Sequence, residues 1–522
     1  MIGLRRTAIM GLHASESGVP TAREPAVGVY VSPILRQMLA VHPVETAESA
    51  GAQRLRRVLT ARSLTAIGLG ATIGTGVFVL TGTVAANQAG PALTLSLLIA
   101  AFGSALAALC YSEFAAFLPV PGSAYSYTYA TLGEAAAWFI GWNLLLEYGM
   151  SASAVAVSWS GYVVNLLADA HVHLPAMLVN APIAADASDH LVATGAWVNL
   201  PAVFIVALMT AILYVGVGES ASANTVMVLL KVTIIVIFIC VGVAYVNPAN
   251  WHPFLPRNTG TFGHFGWSGV LQGAGIIFFS YVGFDTASTT ALEARNPQRD
   301  LPLGILSALV ISALLYVAMS AILTGMVPFA KLNVDAPVSV ALDAHPQLSW
   351  LSPLIKVGVI AGMTSVILTS LLGQPRILLA MADDGLLPPS ISRCHARFKT
   401  PHVATLWTGG AAALIAAVFP LDILADLISI GILLAFAVVC IGVLVMRRTR
   451  PDVPRPFRVP WAPFTCVLGA VVCLGMTLSL SNGTWIRLLA WSVLGGAIYF
   501  GYGMRHSRLR SLGSDEERRV AG

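Results

Sequence analysis

Lys231 is the one charged side chain in the apolar run ASANTVMVLLKVTIIVIFICVGVAYV, residues 221–246. An ammonium at bilayer depth costs about 2.5–3.5 kcal/mol on insertion scales and marks function by default. Lys231 lies roughly 16 Å along a helix from Ser220, at 1.5 Å per residue, too far to snorkel to water. Three carboxylates fall in comparable surroundings: Glu113 in YSEF, Glu147 in GWNLLLEY and Asp285 in FFSYVGFD. The fourth feature is a run of small residues, Thr72-Ile73-Gly74-Thr75-Gly76, inside a segment otherwise apolar enough to cross a membrane. Such a run breaks a helix and frees its backbone N–H and C=O groups. No nucleotide-binding loop, HExxH, GxSxG or metal-ligand cluster is present, so an enzyme is not expected, nor a catalytic residue, metal or cofactor.

The elements that must carry these groups are membrane helices. Hydrophobic residues make up 57% of the 522-residue chain, charged residues 10%, and the mean hydropathy is +0.79, which excludes an ordinary soluble protein. The fold class expected is an all-α polytopic membrane protein with twelve spans, at 65–89, 92–118, 134–167, 198–217, 225–246, 269–292, 303–327, 351–382, 404–419, 421–446, 463–480 and 485–504. With both termini cytoplasmic, 23 of the 29 Lys and Arg fall in the tails and inner loops, as the positive-inside rule requires. The net charge of +5 therefore reports topology and gives no sign of nucleic acid. The six cysteines are scattered, without a CxxC spacing or an outer-loop pair. Residues 1–64 lack a signal-peptide core and read as a cytoplasmic tail, with interfacial helices at 31–39 and 53–59 and Arg54, Arg56 and Arg57 at the headgroups. A second break at Phe278–Asp285 answers the one at Gly74. Two broken spans at matching places predict a secondary transporter built on inverted repeats.

GLGATIGTGVFVLTG, YSEFAAFLPVPGSAYSYTYATLGE, GWNLLLEY, FFSYVGFD and ARNPQRDLP, in that order, resemble the amino acid–polyamine–organocation superfamily. The nearest branch is the bacterial cationic-amino-acid-transporter-like permeases, and the resemblance runs from about Val31 to Met504. It implies a 5+5 inverted repeat with two added helices. The chain then divides into tail 1–64, first repeat 65–246, second repeat 247–446, a last helix pair with its inner loop at 447–504, and tail 505–522. Two departures stand out: Leu292-Glu293 where members often carry an acidic pair, and Pro375, expected to kink the eighth span.

A zwitterionic amino acid needs donors for its carboxylate and acceptors for its ammonium, and a broken helix supplies both. The carboxylate is expected on the N–H groups of Gly76 and Val77 and the Thr75 hydroxyl. The ammonium is expected on the carbonyls of Thr72, Ile73, Phe279 and Val282. A side chain at Gly74 or Gly76 would bar the ligand from the backbone, whereas Gly68, Gly70 and Gly82 read equally well as helix packing. The resemblance implies that Phe279 gates the site, with Phe284 joining the gate or pocket unless it and Tyr281 are apolar filling. It also nominates Glu147, Met363 and the region of Ser429 for the distal pocket. Met363 either narrows that pocket or fills space, and Glu147 meets either a cationic substrate or neighbouring hydroxyls.

In the proton-coupled branch, a lysine in a matching ESA…K context replaces a sodium ion, and GESASANTVMVLLK fits that context. Lys231 is then expected to bridge Gly70 to Thr364 or Ser365 when charged, with Asp285 as a proton relay, gate or helix cap. Glu113 reads as structural, paired with Arg295 or Arg376. The function expected is proton-coupled amino acid uptake by alternating access; the alternative is an amino acid exchanger without net proton flow. The partners are the amino acid, the proton and the lipid of the cell membrane, with no protein partner indicated.

Overall fold

The computed structural model describes residues 37–41, 59–118, 123–185, 191–216, 221–290, 293–398 and 400–510. The expected interfacial helix at 31–39 lies mostly outside the described residues, and so does that at 53–59 apart from Leu59. Twelve principal helices follow in chain order. These are α1 (Ala61–Thr72), α2 (Leu93–Phe117), α3 (Glu134–Asp169), α4 (Leu200–Val215), α5 (Ala221–Gly242) and α6 (Gly266–Ile277), then α7 (Pro297–Met326), α8 (Leu351–Asp383), α9 (His402–Val418), α10 (Leu421–Thr449), α11 (Ala462–Leu478) and α12 (Asn482–Ile498). Among the described residues seven helical stretches are long and apolar enough to cross a membrane, and α11 forms a pair bent by 109° with the helical stretch Asn482–Arg510 that α12 opens. The chain is a multi-pass membrane protein.

Helix ends follow local chemistry. The Asn199 side chain accepts from Ala202 N–H to start α4, the Ser481 hydroxyl accepts from Thr484 N–H to start α12, and Pro297 opens α7 where no N–H is needed. Large apolar side chains such as Phe204, Leu229, Leu314 and Trp407 face outward, as a lipid-facing surface requires. The two most extensive helix contacts join α3 to α8 and α2 to α7, and α4 also packs on α9, each helix against the one five places later; α10 with α11, α1 with α7 and α3 with α10 pack as closely. α10 runs through the centre against α2, α3 and α11.

Two charge clusters fix the ends of this bundle. On one side, Glu113 of α2 accepts from Arg447 Nε at 2.9 Å and from Val459 N–H at 2.7 Å, with Arg455 Nε at 3.6 Å. The expected partners, Arg295 and Arg376, are therefore not the ones used. Arg447 ends α10 beside the α2 terminus, so folding brings a sequence-distant guanidinium closer than either. On the other side Lys356 of α8, fully buried, donates to Asp169 Oδ2 at 2.6 Å and Asp343 Oδ2 at 3.3 Å. Asp169 ends α3, and Asp343 ends a short helix, Pro337–Asp343, in the loop after α7. That loop packs on the second half of the first span: a Cβ on Gly82 would lie 2.5 Å from the Leu332 carbonyl and from Pro337 Cβ. Sequence reading did not anticipate this lid, nor the two-stranded hairpin Ile183–Ala185 with Leu191–Ala193.

Removing one partner of a buried pair costs most when the group left behind stays buried. The two carboxylates are 42% and 47% exposed while Lys356 is 0% exposed. Replacing both Asp169 and Asp343 by Asn is expected to lower stability by about 3 kcal/mol. Lys356→Met, which leaves only carboxylates that water can reach, is expected to cost less than half of that. Thermal unfolding in detergent, monitored by intrinsic fluorescence, checks the order; equal losses would refute it.

Candidate functional site at the two broken helices

α1 stops at Thr72 because Ile73 leaves helical geometry at φ −77°, ψ 100°. The chain then re-enters a helix through a π-helical turn, Gly76–Leu80, whose opening backbone bond runs from Phe78 N–H to the Gly74 carbonyl at 3.4 Å. α6 ends in a tight turn, Phe278–Tyr281, followed by an extended Val282 and by Gly283 at φ +124°. A short helix, Thr286–Thr289, follows. The two breaks touch. A Cβ on Gly76 would lie 2.5 Å from Ser280 Cα, and one on Gly283 would lie 2.6 Å from both the Ala71 carbonyl carbon and the Thr72 nitrogen. Glycine is required at both positions, at Gly76 by space alone and at Gly283 by space and backbone angle. A Cβ on Gly74 would meet Val366 Cγ2 at 3.2 Å, a contact that could yield.

Between the breaks lies a buried cavity of about 30 Å³. From the first break it is lined by Ala71, Thr72, Gly74, Thr75 and Gly76, and from the second by Phe279, Val282, Gly283, Asp285 and Thr286. α3 contributes Glu147, Tyr148, Ser151 and Val155, and α8 contributes Val366, Thr369 and Ser370. A cavity of this size holds a few waters at most, so a larger ligand requires its lining to move. The Thr75 hydroxyl is buried without a hydrogen-bond partner among the described residues, as is that of Ser280. Unpaired buried hydroxyls are costly, and these two flank the backbone of the break.

The structure thus brings together Thr72, Gly74, Thr75, Gly76, Phe279, Val282, Glu147 and Asp285. Ile73 and Val77 belong to the break, with side chains in the core rather than on the cavity. Met363 is buried but does not line the cavity, and the next turn of α8, at Val366, takes the place expected for it. Phe284 also turns away, packing against Tyr111 and Phe436 at ring distances of 6.2 and 5.3 Å. Ser429 donates to the Ile276 carbonyl at 2.9 Å instead of facing a pocket. The Thr72 carbonyl, expected to be open for an ammonium, accepts from the Tyr316 hydroxyl at 2.8 Å. Sequence reading missed Tyr316, which lies far along α7, and Ser280, although Ser280 stands inside the second break motif.

Lys231 is fully buried on α5, and its Nζ donates to the Gly70 carbonyl at 2.7 Å. No carboxylate among the described residues forms an ion pair with it. Thr364 and Ser365 hold other partners. The Thr364 hydroxyl accepts from Trp159 Nε1 at 3.0 Å and donates to the Ile360 carbonyl at 2.8 Å. The Ser365 hydroxyl donates to the Gly362 carbonyl at 3.0 Å. Asp285 Oδ1 accepts from Gly283 N–H at 3.2 Å, tying the carboxylate to the bend of its own break.

Two interrupted helices facing each other across a small cavity, inside a multi-pass helical bundle, define a membrane permease. The chain belongs to the amino acid permease family, whose profile matches residues 59–498. It is 45% identical over 464 residues to the branched-chain amino acid permease BcaP of Bacillus subtilis, covering 89% of this chain and 96% of that one. A methylthioribose transporter of the same organism is 46% identical over 468 residues, 90% of this chain and 98% of that protein. Cationic amino acid transporter 2 of Arabidopsis thaliana, a vacuolar protein, is 40% identical over 399 residues, 76% of this chain and 61% of its own. These relatives are transporters rather than enzymes.

Ser280→Ala removes one unpaired hydroxyl without adding bulk, so the protein should fold and bind substrate about tenfold more weakly, the order of one hydrogen bond. Gly76→Ala and Gly283→Ala should abolish transport, because each forces the two breaks apart. Radiolabelled uptake with surface-expression controls checks this; near-normal uptake by Gly283→Ala would overturn the account of the contact.

Proposed function

We propose that this permease is a proton-coupled amino acid symporter working by alternating access across a bacterial cytoplasmic membrane. Twelve spans form a 5+5 inverted repeat with two added helices, and both termini are cytoplasmic. The pairing of α2, α3 and α4 with the helices five places later, and the two matching breaks, support the repeat. The observation that carries the coupling is Lys231: a buried amine in an apolar helix whose one hydrogen bond among the described residues is to a backbone carbonyl next to the first break. A carbonyl acceptor favours the charged form of an amine. A movement of α1 that withdraws the Gly70 carbonyl therefore releases the proton, and a returning carbonyl recaptures it. Through about 2.3 kcal/mol per 100 mV and about 1.4 kcal/mol per pH unit, one proton supports several-hundredfold accumulation of a neutral substrate.

The substrate carboxylate sits on the N–H groups of Gly76 and Val77 with the Thr75 and Ser280 hydroxyls. The ammonium takes the carbonyls of Ile73, Phe279 and Val282, sharing that of Thr72 with Tyr316. Phe279 closes over the ligand and Asp285 holds the second break. An exchanger without net proton flow is the second reading, since the cavity between the breaks serves exchange equally well.

The experiment is uptake into proteoliposomes in sodium-free buffer of labelled Leu, Ala, Phe, Arg, Glu and methylthioribose, with and without an inward proton gradient. Accumulation that requires the gradient, and that disappears in Lys231→Ala while substrate binding persists, is expected. Uptake that ignores the gradient but requires amino acid loaded inside would replace symport with exchange.

A further inference from the structure

Gly358 and Gly362 stand four residues apart on α8, and Lys231 and Ile234 stand three apart on α5. At helical spacing each pair shares a face, and the faces meet. A Cβ on Gly362 would lie 3.0 Å from Lys231 Cγ and 3.4 Å from its Cε. One on Gly358 would collide with Ile234 Cδ1 and lie 2.9 Å from its Cγ1. The stem of Lys231 therefore lies across bare backbone, in a groove that small residues at this spacing open between membrane helices. Among the described residues α8 makes no hydrogen bond to the ammonium: the Thr364 and Ser365 hydroxyls are engaged elsewhere, and Ser365 itself covers the Gly362 carbonyl. α1 holds the lysine by a hydrogen bond, and α8 holds it by contact alone.

We propose that Gly362 is a positioning residue for Lys231: the side chain it lacks is what allows the ammonium to reach Gly70. The inference rests on the symport reading above. Alanine at 362 pushes the stem aside by a few tenths of an ångström and pulls Nζ off the Gly70 carbonyl, without touching the substrate cavity. Gly358 supports the same helix pair through Ile234 and has no part in seating the amine, so it serves as the structural control.

The test compares wild type with Gly362→Ala, Gly358→Ala and Gly358→Ala combined with Ile234→Ala. Three quantities are read: gradient-driven accumulation, the KM of substrate counterflow, and labelling of Lys231 by a membrane-permeant amine reagent, followed by peptide mass spectrometry. Gly362→Ala should lose accumulation about tenfold, the order of one weakened charge-assisted hydrogen bond. Its counterflow KM should hold, and its Lys231 labelling should rise. Gly358→Ala should lower thermal stability and both transport modes together, recovering when Ile234 is also cut back. Full accumulation by Gly362→Ala, or losses in it that parallel those of Gly358→Ala, would overturn the proposal. If wild-type accumulation itself ignores the gradient, the symport reading falls and labelling alone decides: a rise in Gly362→Ala upholds the positioning role, and no change removes it.

Discussion

The rest of this structure depends on two interrupted backbones meeting inside the membrane. Peptide groups without intrahelical partners are tolerated at this depth only when protein or ligand satisfies them. Here each break supports the other. Gly76 admits Ser280 against its backbone and Gly283 admits the Ala71–Thr72 peptide, while Tyr316 and Tyr162 bring hydroxyls to the Thr72 and Phe78 carbonyls. These contacts leave the Thr75 and Ser280 hydroxyls without a partner among the described residues, and that of Thr75 is on a residue lining the cavity.

Two buried lysines show how surroundings set the use of a charge. Lys356 meets two carboxylates from separate elements, which makes it a fixed fastening of the lid loop to α3 and α8. Lys231 meets one carbonyl dipole. Two carboxylates hold a side chain fast, whereas a single carbonyl contact is exchanged when α1 shifts. The separation of roles follows from the partners, since both side chains are equally buried.

The interrupted spans were legible because glycine and small residues in a long apolar run have few other readings, and Lys231 stood out because a lone cation in such a run is expensive. Cavity membership was harder to read. Met363 and Phe284 have the residue types of a pocket wall, but the direction of a side chain on a helix depends on how that helix is rotated against its neighbours. On α8 the cavity face begins one turn later, at Val366. Glu113 illustrates the same limit: its partner, Arg447, is far away in sequence, and only the packing of α10 beside α2 brings the two together.

By itself the sequence determined that the chain is a mostly helical membrane protein, that two of its helices break, and that another helix carries a buried amine. These properties are encoded locally, in hydropathy, in glycine and in charge. Tertiary structure alone decided which hydroxyls stay unpaired beside the break, and that Gly362 rather than Thr364 or Ser365 lies under Lys231. Those outcomes depend on the rotation and separation of whole helices, and local composition does not set either one.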